Sequence, residues 1–211
     1  MTSDTRPLRA DAERNRVRVV VAAREVFARN GISVTLDDVA RHAGVGVGTV
    51  YRRFPNKESL VDAVFDHVID ELRDLVDQAS AEPDAWTGLV GLLTSIAARQ
   101  SADRGLYEIC TGADFGQMAR FAEKLIPAAD TLVARAQADG TLRADFAAPD
   151  IGPLLMMVAT VAELTGEFNP DLWRRYLAVL LDGIRAPGES PLPGEPPTHI
   201  QVDKAIRAMR K

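Results

Sequence analysis

Apolar residues recur at helical spacing along almost the whole chain, and no convincing run alternates as a strand would. Val20, Ala23, Val26 and Phe27 predict a helix from Glu13 to Asn30, which Gly31 stops. Thr35 followed by Asp38 reads as a capping box opening a short second helix with the stripe Leu36, Val39, Ala40 and Ala43, closed by Gly44. Val47, Val50, Tyr51 and Phe54 repeat at i, i+3, i+4 and i+7, and Pro55 ends that third helix after about two turns. From Asn56, an N-cap, the stripe Leu60, Val64, Val68, Leu72 and Leu75 continues to about Gln78, a span of roughly 35 Å at 1.5 Å per residue. Beyond Pro83, helical patterns cover 84–100, 106–111, 115–139, 148–164 and 169–185. Asp139-Gly140 ends one of these, and Asn169-Pro170 is read as N-cap and first-turn proline of another. The fold class is therefore all-α. The expected divisions are a loose arm over 1–12, a three-helix domain over 13–60, a larger helical domain over 61–186, and a Pro-rich linker and tail over 187–211.

Composition narrows the function classes. The chain has 211 residues, 46% of them hydrophobic, enough for one substantial core or two smaller ones. Its apolar stretches fall short of a bilayer span and its first residues lack a signal core, so a cytoplasmic protein with no membrane partner is expected. Cys110 is the single cysteine and is read as a core residue. The net charge of -5 is unevenly spread. Residues 1–60 carry eleven Arg and Lys against seven Asp and Glu, whereas residues 61–198 carry ten against twenty-two. A basic head on an acidic body suits a nucleic-acid-binding module followed by a domain that does not bind it, because Lys and Arg gain affinity by displacing phosphate counterions.

Three short helices with a glycine turn before the last are the physical recipe for a helix-turn-helix, here TLDDVARHAGVGVGTVYRRF. Gly48-Thr49-Val50-Tyr51, followed by Phe54-Pro55-Asn56-Lys57-Glu58-Ser59-Leu60, resembles the signature of TetR-family regulators, with the close match over about residues 15–65. The resemblance implies a DNA-binding regulator of transcription, a repressor working from operator DNA as a homodimer, and neither an enzyme nor a cofactor protein. Geometry and resemblance together give the contacts. Thr35 and Lys57, opening the second and fourth helices, would hold phosphates, and Val47, Gly48 and Thr49 would face base edges. Tyr51, Arg52 and Arg53 would anchor the backbone, Arg52 being the one most able to reach a guanine; a core role for Tyr51 is the alternative. Many relatives place a serine and a lysine where this chain has Gly46 and Val47, so preference here should rest more on apolar contact and DNA shape.

The glycines of Gly44-Val45-Gly46-Val47-Gly48-Thr49 resemble a phosphate-binding loop, but Thr49 replaces the third glycine and a helix precedes the run. His42, His67 and His199 lack metal-ligand spacing, so no metal is expected. The resemblance also implies a four-helix dimer interface from the last two long helices. Their stripes Leu154, Leu155, Val158, Val161, Ala162 and Trp173, Leu177, Leu180, Leu181, Ile184 supply the expected contacts Leu154, Val158, Val161, Trp173, Leu177 and Leu181. It implies a cavity for a small effector of unknown identity as well. Trp86, Tyr107, Phe115, Met118, Phe121, Met156 and Met157 are candidate lining, since thioethers and aromatics accept varied apolar guests. Arg104, Asp114 and Glu163 are candidate polar partners. A ligand-independent repressor and a helical protein-interaction module are the competing readings.

Overall fold

A computed structural model describes residues 6–103, 115–188 and 190–208. Within them the helices are α1 (Arg6–Asn30), α2 (Leu36–Ala43), α3 (Val47–Arg53), α4 (Lys57–Ala81), α5 (Ala85–Ala102), α6 (Phe115–Ala138), α7 (Ile151–Thr165), α8 (Leu172–Ile184) and α9 (His199–Ala208). A 3-10 turn at Ala148–Asp150 leads into α7. The β pairing among the described residues is one isolated antiparallel bridge, Leu142 to Arg185. The chain forms two compact units, one holding residues to Val68 together with Asp103, the other running from Ile69 to Ala102 and over the C-terminal part.

In the first unit α1 packs on α2 and α2 on α3. Val19, Val20, Ala23 and Phe27 of α1, Leu36, Val39 and Ala40 of α2, and Val50 of α3 are buried. Burying each of the larger ones is worth about 1.5–3 kcal/mol. Helix α1 starts at Arg6, so the arm expected over 1–12 is helical from that residue. Pro7 falls in the first turn, where its missing N–H has no helical acceptor to satisfy, and so does not prevent this start.

In the second unit α5 packs on α6, α7 and α8, and α7 on α8. Arg135 of α6 closes the α4–α5 corner, donating to the carbonyls of Ser80 at 2.7 Å and Pro83 at 3.2 Å and to that of Glu82. Asp84 caps α5, accepting from the Thr87 amide at 2.8 Å. That bond and the one from the Thr87 hydroxyl lower the Asp84 pKa. Helix α8 begins at Leu172 and not at the expected Asn169-Pro170. The Asn169 amide is taken by the Thr165 carbonyl at 2.7 Å, which holds Asn169 in the turn after α7, and its own carbonyl accepts from the Leu172 amide.

Gly188, Ser190 and Leu192, in the segment expected as a Pro-rich linker and tail over 187–211, are held by a buried guanidinium and its carboxylate partner. Arg143 donates to Asp145 at 2.5 and 2.9 Å, to the Gly183 carbonyl at 3.1 Å and to the Ser190 carbonyl at 2.6 Å, and Asp145 accepts from the Leu192 amide at 2.8 Å. A Cβ on Gly188 would lie 2.9 Å from the Arg143 guanidinium carbon, so the strap passes flat against it. Further on, α9 meets α7, with Val202 packed beside Gly152. No helix among the described residues is long and apolar enough to cross a membrane.

Candidate DNA-binding surface

The α2–turn–α3 segment is fixed by local chemistry. Thr35 is an extended N-cap whose hydroxyl accepts from the Asp38 amide at 3.2 Å, while the Asp38 carboxylate accepts from the Thr35 amide at 3.1 Å and its hydroxyl at 2.6 Å. These bonds lower the Asp38 pKa and keep it ionised. The hydroxyl expected to hold a phosphate is thus already engaged, although Thr35 is exposed. At the other end Gly44 has φ 64° and ψ 35°, a left-handed cap that favours glycine. The Val45 amide reaches back to Ala40 and the Gly44 amide to Arg41, while Arg18 of α1 donates to the Ala43 carbonyl at 3.0 Å.

Helix α3 follows with Gly46 as an N-cap that makes no side-chain bond. Val50 faces inward and is fully buried. Val47, at 43% exposure, Gly48 and the half-buried Thr49 open the helix toward solvent, and a Cβ on Gly48 would meet nothing within 4 Å. Arg52 donates to the Thr49 hydroxyl at 3.2 Å, and Arg53 is exposed. Tyr51 is 47% exposed, which removes the core alternative. The negative charge of the nearby Asp37 carboxylate raises its phenol pKa. Phe54 is buried after α3, and Asn56 caps α4 by accepting from the Ser59 amide at 2.8 Å. Lys57 is half-exposed in the first position of α4. All eight residues expected at the DNA thus lie in the α2–α4 segment of the first unit, with at least part of each reaching solvent.

This arrangement coincides with known sequence families. The profile of bacterial regulatory proteins, tetR family, matches residues 19–64, and that of the SbtR-like transcriptional regulator C-terminal domain matches residues 83–186. The crystal structure of a TetR transcription regulatory protein from Mycobacterium vanbaalenii is 33% identical, covering 85% of this chain and all of that one at a TM-score of 0.65. The chain belongs to the TetR family. Its curated relatives match over part of their length: the Staphylococcus aureus HTH-type regulator SAR0097 is 32% identical over 89 residues, 41% of this chain and 46% of its own. Pseudomonas putida SrpR is 48% identical over 56 residues, 26% of each chain. The chain therefore spans less than half the length of these curated relatives. The family is one of transcriptional regulators, not of enzymes.

The TetR-family chain departs from the sequence expectation in its second unit. Leu154, Val158, Trp173, Leu177 and Leu181, expected at a dimer interface, are buried within the single chain, and Val161 is half-buried. The first five are buried in the chain itself, where α7 and α8 pack on each other and on α5, so they do not form an outer face. The exposed apolar residues on the same helices and their connection are Met157, Leu164 and Phe168, and Tyr176 and Val179. Of the expected cavity lining, Trp86, Phe121 and Met156 are half-buried, and the Arg185 guanidinium sits 5.3 Å from the Trp86 ring centroid. Met157 is exposed and so is Glu163. Tyr107, Arg104, Cys110 and Asp114 lie outside the described residues, as do the side chains of Phe115 and Met118. An open depression of about 540 Å³ lies beside the Arg143 strap, lined by Gln137, Leu142 to Asp145 and Ala186 to Gly188.

Proposed function

We propose that this TetR-family protein is a homodimeric, DNA-binding repressor, released from its operator by a small, largely apolar ligand. The observation that carries the DNA-binding part is the exposed opening of α3, Val47, Gly48 and Thr49, flanked by Arg52, Arg53 and Lys57 on a frame whose inner face is buried. A helix of two turns reads few base pairs, so two copies on half-sites about 34 Å apart are needed for specificity. The exposed strip Met157, Leu164, Phe168, Tyr176 and Val179 supports pairing through α7 and α8, because apolar residues clustered on two adjacent elements mark an interaction surface. An effector acting on the second unit would change the spacing of the two recognition helices, and motions of a few ångströms suffice to lose consecutive major grooves.

Selection of duplexes from a random pool by the full-length protein tests this reading. A two-fold symmetric site is expected, bound by a dimer in light scattering, with Phe168→Asp giving a monomer that loses the site. Absence of any enriched sequence would refute DNA binding. A Phe168→Asp dimer of unchanged mass would move the interface elsewhere. A screen of apolar metabolites and drugs that neither raises the melting temperature nor weakens the selected duplex would leave a ligand-independent repressor.

A further inference from the structure

The chain passes between the two units inside α4, at Val68–Ile69, and again at Ala102–Asp103. The second passage is anchored. Asp103, the first residue after α5, belongs to the DNA-binding unit, and its carboxylate accepts from the guanidinium of Arg24 in α1, 79 residues away. Both side chains are nearly enclosed, at 13% and 12% exposure. Charges taken this far out of water hold each other firmly, because parting them leaves an uncompensated ion in a low-dielectric surrounding. A displacement of the last turn of α5 therefore pulls on Arg24 through one covalent bond and one ion pair.

What Arg24 pulls on is the recognition element. Its neighbours Ala22, Ala23, Val26 and Phe27 are buried in the first unit. Next to it, Glu25 meets His42 of α2 at 2.6 Å, and a turn and a half earlier Arg18 holds the Ala43 carbonyl, one residue before the Gly44 turn that aims α3. Polar ties on both sides of Arg24 thus fasten α1 to the end of α2 from which α3 departs.

We infer that the Arg24–Asp103 pair is a joint that couples the end of α5 to the placement of α3, with both members acting as positioning residues for DNA binding. The inference rests on the DNA-binding reading above. An apolar pair of similar volume can equal a buried ion pair in stability, so replacing both residues separates coupling from folding. Coupling is reciprocal: if α5 biases DNA binding, DNA must bias α5.

The test is hydrogen exchange on the full-length protein with and without a duplex that the wild type has selected from a random pool. In the wild type, the duplex should change protection of residues 98–102 by a factor on the order of 5 to 150, the usual range of such coupling. The double variant Arg24→Met with Asp103→Leu should still fold and should bind the duplex more weakly, while the change at 98–102, read at saturating duplex, disappears. Asp103→Asn, which keeps the shape and loses the charge, should reduce it and provides the reading should the double variant not fold. A change at 98–102 of full size in these variants, or none in the wild type, would overturn the joint. Failure to select any duplex would overturn the DNA-binding reading and the joint with it.

Discussion

Replacing Gly48 by alanine should make the protein more stable and a worse DNA binder. Gly48 is the second residue of α3, its φ is not in the left-handed region, and an added Cβ meets nothing within 4 Å. The folded chain thus accommodates the methyl freely, and a glycine-to-alanine change in a helix gains up to about 0.5–1 kcal/mol. At 2–4 °C per kcal/mol for a chain of this length, the melting temperature should rise by about 1–4 °C. If the backbone at Gly48 lies against base edges, the same methyl enters a packed contact and costs about 1–3 kcal/mol there. That corresponds to binding about 5- to 150-fold weaker. Calorimetry and fluorescence anisotropy on the selected duplex, with a scrambled duplex as control, read the two effects separately. A variant that is more stable yet binds the selected duplex as tightly as the wild type would refute the placement of Gly48 at the DNA. A lowered melting temperature would contradict the open space around it.

Lys57→Ala should weaken binding to selected and scrambled duplexes alike and reduce the slope of log affinity against log salt by about one, as expected for one phosphate contact; an unchanged slope would remove Lys57 from the DNA. Gly88→Ala should destabilise by about 1–3 kcal/mol, since its Cβ would lie 2.4 Å from the Ala79 carbonyl oxygen, whereas Gly91→Ala on the same helix meets nothing and should stabilise. Equal melting shifts for the two variants would contradict the close α4–α5 corner. Arg143 and the Leu192 amide hold the Asp145 carboxyl well below the usual carboxylate range. Its folded pKa lies under the unfolded value, so its contribution is complete above about pH 4 and is lost as pH falls through the folded value. Exchange at the Leu192 amide, corrected for intrinsic rate, should be flat from pH 7 to 5 and rise in strong acid, and Asp145→Ala should raise it at pH 7. Unaltered protection in that variant would show that the strap is held by other contacts.

Much of the geometry of the candidate DNA-binding surface was legible because it is encoded locally. Thr35 with Asp38, Gly44, Gly46 and Pro55 act through bonds or steric limits within a few residues, so spacing alone placed α2 and α3. Contacts between residues distant in sequence were not legible: Arg18 reaches Ala43 across 25 residues and Arg24 reaches Asp103 across 79. Nor could composition show that the Pro-rich strap is clamped, since Arg143 and Asp145 are ordinary charged residues until Gly183 and Ser190 turn their carbonyls toward the guanidinium. The helices α7 and α8 are apolar on two faces, and periodicity identifies faces without saying which one points inward. The series Met157, Val161, Leu164 and Phe168, spaced four, three and four apart, was the available sign of a second face. Helix α1 begins earlier than expected, at Arg6, because its first turns carry no apolar period by which a helix could be recognised.

If the opening of α3 reads bases, a substitution there must change sequence preference, which is a more direct sign than a loss of affinity. Val47→Lys restores a cation to the exposed first position of α3, where a lysine would donate to the O6 and N7 of guanine in the major groove. Duplex selection repeated with this variant should return the wild-type site altered at one position in each half, with guanine newly favoured there and the half-site spacing retained. Recovery of the unaltered wild-type sequence by a folded Val47→Lys protein would contradict the placement of α3 in the groove.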